Sequence, residues 1–472
     1  QGGEKWARFS VVGLPSSQIL KISGNCFTRE INGEVVEQRL SEDPLGDIEE
    51  FQSRFRYPDL PGLPNYTGGL VGYFGYDTIR YVEKKLRYTE PPDNIGCPDI
   101  LLMVSNDLIV FDSLKAKIHI ISHAATDDPD ALDKAEARLD QMQHAMQGEV
   151  PSFIRNPARG PNIHESDFVS SYGKTRFMHD VEKIRDYIVE GDVMQVVLSQ
   201  RMSVTFENDP LHLYRALRTL NPSPYMYFMD LDDCQIVSSS PEILARLESG
   251  EVTVRPLAGT RRRGRDAADD LAMEQELQSD SKEIAEHLML IDLGRNDIGK
   301  VCDPGSVEVT EMMTIEHYAH VMHIASNVRG RVQPAVTGIN LLRATLPVGT
   351  LSGAPKIRAM EIIDEFETEK RGIFGGAVGY LSWNGNMDTA IAIRTAIVKD
   401  NKLYIQAGAG VVADSVPELE WKETMNKARS IFSAAAMAES GLEVEYGTAE
   451  NTREYNREES REIVGQTAGG GD

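Results

Sequence analysis

Residues 375–407, GGAVGYLSWNGNMDTAIAIRTAIVKDNKLYIQA, carry three apolar runs at 377–383, 390–398 and 402–407, separated only by turn residues. Strand following strand with no helical period between is not the regular βα alternation of a doubly wound sheet. Outward from this stretch, strands are expected at 192–204, 235–240 and 321–332, and helices near 174–190, 267–297, 338–345, 355–367 and 418–439. The fold class is therefore α+β. Residues 1–122 form a sheet-rich unit with strands at 6–13, 18–23 and 117–122 and an apolar run at 100–111. Residues 123–167 hold a polar, solvent-facing helix at 127–147 and a proline-bearing linker, 168–440 form the second unit, and 441–472 are too polar to bury a core and are expected to be disordered. The hexapeptide GGLVGY at 68–73 echoes GGAVGY at 375–380, which reads either as duplication or as two glycine-rich strands in a packed sheet.

Composition narrows the function classes. With 49 Lys+Arg against 73 Asp+Glu, the net charge of −24 over 472 residues repels nucleic-acid phosphates and anionic membranes. No run reaches the ~18–20 apolar residues of a membrane span. Cys26, Cys97, Cys234 and Cys302 are scattered, without a C-x-x-C pair, which argues for neither a zinc ribbon nor a disulfide framework and fits a reducing cytoplasm. The N-terminus shows no signal peptide and no start methionine, so an upstream segment is expected.

Two carboxylate pairs share one spacing. Glu283/Glu286 and Glu420/Glu423 each stand i,i+3 on an expected helix, which puts both carboxylates on one face, about 5–6 Å apart at Cβ. Acidic residues in a first helical turn also simply favour the macrodipole, and both segments begin with a capping-box pattern, Asp280 to Glu283 and Ser415 to Glu418. Two such pairs from two helices suit Mg²⁺, a hard cation that takes oxygen ligands. His317, His320 and His323 form H-x-x-H-x-x-H, but members six apart on a helix diverge by about 120° and odd spacings on a strand alternate faces, so the three do not make one zinc site. One histidine as proton carrier and an ordinary satisfied histidine stay equally open. Gly408–Ala413 matches G-x-G-x-x-A without a βαβ unit around it, the only feature that would support an NAD-dependent oxidoreductase. Residues 349–356 lack the P-loop spacing but offer an anion site, and Arg261–Arg265 reads as a solvated basic loop.

Taken together, residues 256–261 (PLAGTR), 292–297 (DLGRND), 346–356, 371–380 and 408–427 resemble the chorismate-utilising enzymes, and among them the anthranilate synthase component I branch, from about residue 1 to 440. The resemblance implies a four-layer α/β/β/α sandwich, with a regulatory-type first unit and a chorismate-binding second unit. It implies Mg²⁺-dependent addition of ammonia to chorismate and release of pyruvate to give anthranilate, the first step of tryptophan biosynthesis. Glu286 and Glu423 match the principal metal carboxylates, with Glu283 and Glu420 beside them. Arg394 matches the residue that pairs with the enolpyruvyl carboxylate, and Gly259, Thr260, Gly408, Ala409, Gly410, Phe374 and Lys427 match substrate contacts. Glu242 corresponds to the acid for the departing C4 hydroxyl and His323 to the base that removes the C2 proton, with Thr350 nearby.

Isochorismate-forming relatives carry a lysine where this chain has Gln195, which favours ammonia over water as nucleophile, and Ala258 replaces the nucleophilic lysine of aminodeoxychorismate synthases. Phe374 stands where a tyrosine is usual, a hydroxyl contact worth roughly 1.5–3 kcal/mol. The tryptophan feedback site keeps Asn221, Pro224, Tyr225 and Met226, while its Leu-Leu-Glu-Ser segment is absent from this sequence. No glutaminase cysteine motif is present, so the resemblance implies a separate glutamine amidotransferase subunit as ammonia source. Two alternatives from the same residues are a 2-amino-2-deoxyisochorismate synthase that lacks the lyase step and a weakly catalytic tryptophan-binding sensor.

Overall fold

In the computed structural model, which describes residues 8–442 apart from 59, 156–158 and 319–320, the echo pair lies at the centre of the larger sheet. Gly69–Phe74 runs antiparallel beside Ala377–Ser382, with Gly72 opposite Gly379. Strands from the first 122 residues and strands from the second unit thus belong to one 12-stranded sheet. On one side of the join lie Ile100–Ser105, Gln18–Ser23, Cys26–Ile31 and Glu34–Leu40. On the other lie Met387–Ile391, Ile243–Glu248, Glu251–Val254, Val321–Arg331 and Leu257–Arg262, with Glu308–His317 paired to Val321–Arg331. A 7-stranded sheet orders Tyr225–Asp230, Gln235–Ser240, Thr395–Lys399, Lys402–Val411, Gln195–Thr205 and Gly353–Ala354, with Val169–Ser170 also on Gln195–Thr205. Phe9–Gly13, Asp107–Asp112 and Lys117–Ser122 form a small third sheet.

Strand alternation builds the layers. Leu101 and Ile397 point into a core between the two large sheets, with Tyr73, Val378 and Ile236. Their neighbours Ile100 and Leu102 face helices Pro44–Ser53, Ser281–Gly299 and Gly338–Thr345. Ala396 and Val398 face helices Pro210–Leu220 and Pro417–Glu439 on the opposite side, where Lys174–Glu190 and Lys356–Phe366 also pack. Helix, sheet, sheet and helix stack in that order, the α/β/β/α sandwich expected. Among the described residues no helix is long and apolar enough to cross a membrane.

Several elements differ from the sequence expectation. The run at 390–398 is two strands in different sheets, broken at Arg394, whose φ of 51° turns the chain from one sheet to the other. The run at 100–111 likewise splits into Ile100–Ser105 and Asp107–Asp112. The helix expected at 267–297 is two helices, Ala267–Ser279 and Ser281–Gly299, because Asp280 leaves helical geometry and its carboxylate accepts the backbone N–H groups of Lys282 and Glu283. Ser415 does not cap its helix: Val416 holds the cap position, and Ser415 Oγ accepts the Val412 N–H instead. The polar helix is Ala131–Met146. Trp6 and residues 443–472 of the tail lie outside the described residues.

Candidate active site

The chain crosses between the two large sheets at Pro241–Glu242 and again at 392–394. Hydrogen bonds strap the crossings together: the Ile391 N–H to the Glu242 carbonyl (3.0 Å), the Ser239 N–H to the Arg394 carbonyl (3.2 Å) and Ser240 Oγ to the Ile391 carbonyl (2.7 Å). Residues at such crossings belong to neither ladder, so their side chains are free to serve the gap between layers. Glu242 is buried, and that burial pushes its carboxyl up to about 8, against the opposing pull of Thr350 and Lys427. Thr350 Oγ1 stands 3.5 Å from Glu242 Oε1. The two border a cavity of about 30 Å³, whose wall includes Leu290, Leu293, Asp297 and Gly349. The Arg394 guanidinium has no side-chain hydrogen bond or ion pair among the described residues. Burial pulls its pKa down, and the Glu423 carboxylate opposes that only in part.

The carboxylate pairs stand within the first two turns of two helices whose ends share one region. Glu283 and Glu286 belong to Ser281–Gly299, and Glu420 and Glu423 to Pro417–Glu439. Glu286 is held above the ordinary carboxylate range by burial first and by repulsion from Glu283 and Glu423, while a hydrogen bond with Gln195 opposes the rise. Burial and Glu423 likewise raise Glu420, against a hydrogen bond with Ser415. Lys427 Nζ bridges Glu423 (2.7 Å) and the carbonyl of Gly408 (2.9 Å). Among the described residues, no three His, Cys, Asp or Glu side chains are gathered into a ready metal shell. The carboxylates are instead spread over two helices and drawn toward local cations.

His323 lies on Val321–Arg331 opposite Thr260. Its Nδ1 is 2.9 Å from the Gly259 carbonyl and 3.1 Å from Thr260 Oγ1. A carbonyl only accepts, so Nδ1 carries the hydrogen and Nε2 keeps its lone pair. Burial, with the Arg394 charge a smaller contributor, lowers the His323 pKa and keeps the ring neutral. The Tyr318 ring packs edge-on at 5.4 Å. Gly259 sits at a bulge with φ 63°, and a Cβ there would stand 3.2 Å from Glu283 Oε2, so glycine lets the strand approach the carboxylate. Gly408, Ala409 and Gly410 lie inside Lys402–Val411, opposite Ser199, Leu198 and Val197. A Cβ on Gly410 would meet Gln195 Nε2 at 2.6 Å. Since Lys402–Val411 continues through these glycines as a strand, they do not form the turn before a helix that a dinucleotide fingerprint needs.

Other expected residues lie apart. Phe374 is buried in the core beside the 12-stranded sheet, with the Arg371 guanidinium 5.6 Å from its ring centre. Asn221 ends helix Pro210–Leu220, and its carbonyl accepts Ser239 Oγ. Pro224 precedes strand Tyr225–Asp230, and Met226 packs against the core under the 7-stranded sheet. The Tyr225 hydroxyl donates to Asp388 and accepts from Arg246, both at 2.9 Å, and so ties the two large sheets together. His317 faces Glu274 at 3.4 Å, and His320 lies outside the described residues. Lys356 Nζ is held by Asp297 at 2.7 Å, which leaves the 349–356 segment without a free lysine for an anion.

The basic loop is not simply solvated: Arg261 pairs with Glu276, Asp280 and, at 3.4 Å, Glu283. Sequence reasoning missed that contact, although Arg261 follows Thr260 directly. It also missed His287, which sits behind Glu286 and meets Ser326 Oγ at 2.7 Å.

The chorismate binding enzyme family matches residues 10–433. Anthranilate synthase component 1 of Pseudomonas aeruginosa is 54% identical over 448 residues, 94% of this chain and 90% of that protein. The protein of the same name from Neisseria meningitidis serogroup B is 53% identical over 445 residues, 94% and 89% of the two chains. The crystal structure of anthranilate synthase component I from Streptococcus pneumoniae superposes with a TM-score of 0.81 at 41% identity, covering 90% of this chain and 92% of that one.

Proposed function

The chain belongs to the chorismate-binding enzyme family and to its anthranilate synthase component 1 branch, and from that premise we propose that it converts chorismate and ammonia to anthranilate and pyruvate, the first step of tryptophan biosynthesis. The observation that carries this reading is the convergence, in one electrostatically connected cluster, of a desolvated Arg394 with no side-chain partner among the described residues, mutually repelling carboxylates and a neutral His323. Chorismate is a dicarboxylate, and a planar guanidinium without a resident partner suits its enolpyruvyl carboxylate. Glu286 and Glu423, with Glu283 and Glu420 beside them, fit a hard cation because their oxygens repel one another and burial holds Glu286 and Glu420 high. When bound, Mg²⁺ supplies Lewis-acid polarisation and a template for the ring carboxylate.

Glu242 keeps its proton near neutrality and delivers it to the departing C4 hydroxyl as ammonia adds at C2, with Thr350 positioned beside it. His323 Nε2 then takes the C2 proton, pyruvate leaves and the ring becomes aromatic. Gln195 supplies no base for water, in keeping with ammonia as nucleophile. Gly259, Thr260, Gly408, Ala409, Gly410 and Lys427 line the substrate cradle, and Phe374 supports it from the core. Residues 168–440 carry the chemistry and 1–122 the regulation, with Asn221, Pro224, Tyr225 and Met226 belonging to a tryptophan site. Relatives named component 1 imply a second component. We assign it as a glutamine amidotransferase that supplies ammonia in the cytoplasm.

The test is anthranilate fluorescence and product mass from purified chain with chorismate, Mg²⁺ and an ammonium salt at alkaline pH, with and without EDTA. Chelator-sensitive anthranilate is expected. Accumulation of 2-amino-2-deoxyisochorismate would replace the full reaction with the amination alone, and unconsumed chorismate would overturn the assignment.

A further inference from the structure

Two of the four cysteines meet, although 137 residues separate them in sequence. Cys97 Sγ and Cys234 Sγ are 3.7 Å apart. Cys97 is half-buried on the segment leading into Ile100–Ser105 of the 12-stranded sheet, whereas Cys234 is fully buried at the turn before Gln235–Ser240 of the 7-stranded sheet. Both pack in the core between the sheets. Lys399 reaches across the flanking residues of both: its Nζ donates to the Gly96 carbonyl at 3.1 Å and lies 3.3 Å from Asp233 Oδ2.

We propose that Cys97 and Cys234 form a peroxide-sensitive thiol pair, which closes to a disulfide that staples the two sheets. A half-buried cysteine lies next to a fully enclosed one, with the Lys399 cation alongside, the arrangement that separates an attacking thiol from a resolving one. When Cys97 ionises, the Cys234 S–H donates to it. That hydrogen bond, assisted by Lys399, holds the Cys97 thiol below its ordinary range, while Cys234 is held above its own.

The Cys97 thiolate attacks one peroxide oxygen, so an S–O bond forms as the O–O bond breaks, and the departing hydroxide leaves as water after protonation. Cys234 then attacks the Cys97 sulfur, the S–S bond forms, and the sulfenic hydroxyl leaves as a second water with the Cys234 proton. Two thiols are oxidised and one peroxide is reduced. The sulfurs, 3.7 Å apart, need to close by roughly 1.7 Å to reach bonding distance. In a reducing compartment such a pair rests as dithiol and oxidises only transiently.

The other two cysteines serve as internal controls. Cys26 Sγ has Thr28 Oγ1 at 3.8 Å as its contact, and burial pushes the Cys302 thiol up to about 11. The experiment treats the full chain with stoichiometric hydrogen peroxide, counts free thiols and maps cross-linked peptides by mass spectrometry before and after a thiol reductant. Loss of two of the four thiols is expected, with a Cys97–Cys234 peptide two hydrogens lighter that reverts on reduction. In Cys234→Ser, a sulfenic-acid probe should label Cys97. Four surviving thiols, first oxidation at Cys26 or Cys302, or a cross-link between chains would overturn the proposal.

Discussion

Arg371, fully buried, and Arg394, half-buried, are desolvated arginines treated in opposite ways. Arg371 donates to both Glu367 oxygens (2.8 and 2.6 Å) and to the Leu351 and Val197 carbonyls (2.6 and 2.7 Å). Burial alone would lower its pKa, but Glu367, with Tyr76 and Asp364, outweighs that and the net shift is upward. Among the described residues Arg394 has no such partner, and burial lowers its pKa. The same contrast separates whole regions. Around Arg371, the Arg201–Glu369 and Arg80–Asp364 pairs match each charge with its opposite at 2.7 Å. Between the two acidic helices, Glu286 instead feels repulsion from Glu283 and Glu423. Paired charges hold the fold, and charges left like-facing or alone are kept for ligands.

The largest effect expected to sharpen the comparison is between the two acidic helices. Glu423→Gln should abolish anthranilate formation while shifting the melting temperature by less than about 3 °C, because its half-exposed i,i+4 pair with Lys427 is worth only ~0.3–0.5 kcal/mol. A large fall in melting temperature would place Glu423 with the structural charges. Arg371→Leu should do the reverse and lower unfolding stability in urea by about 3–5 kcal/mol, since it strands Glu367 in a buried site. Replacing Glu367 as well should recover part of the loss. Arg394→Lys keeps the charge but loses the fork, and should raise the KM for chorismate about 10- to 150-fold with stability unchanged. An unaltered KM breaks the assignment of Arg394 to substrate.

The last test concerns Glu242. Its folded pKa, raised to about 8, exceeds the ordinary 4.5, so the native state binds the extra proton between these values. Stability from this group is full below about 4.5 and is lost as pH rises through about 8. Glu242→Gln should flatten that limb in thermal melts across pH, and an unchanged profile would remove Glu242 as the buried acid.

Much of this was legible from residues alone, for identifiable reasons. The helices Lys174–Glu190 and Gly338–Thr345 and the strand Gln235–Ser240 fell at the expected residues, because their periodicity is clean. Sheet membership was not legible. Nothing at Arg394 announces a crossover, since the turn is made by a non-glycine residue at positive φ inside an apolar run. The carboxylate pairs could be read from spacing and the motifs from contiguous sequence. The Arg261–Glu283 ion pair and the Cys97–Cys234 contact depend on elements brought together only by the tertiary fold, and no local pattern encodes them.

Glu286 is the carboxylate that burial and the repulsion of both Glu283 and Glu423 hold above its ordinary range. The most direct measurement is calorimetric titration of Mg²⁺, in the presence of chorismate, into the parent chain and into Glu286→Gln, with a thermal melt of each. Binding lost in the variant, with a melting temperature equal to or above that of the parent, is the expected result. Retained Mg²⁺ binding, or a variant that melts well below the parent, would contradict the account.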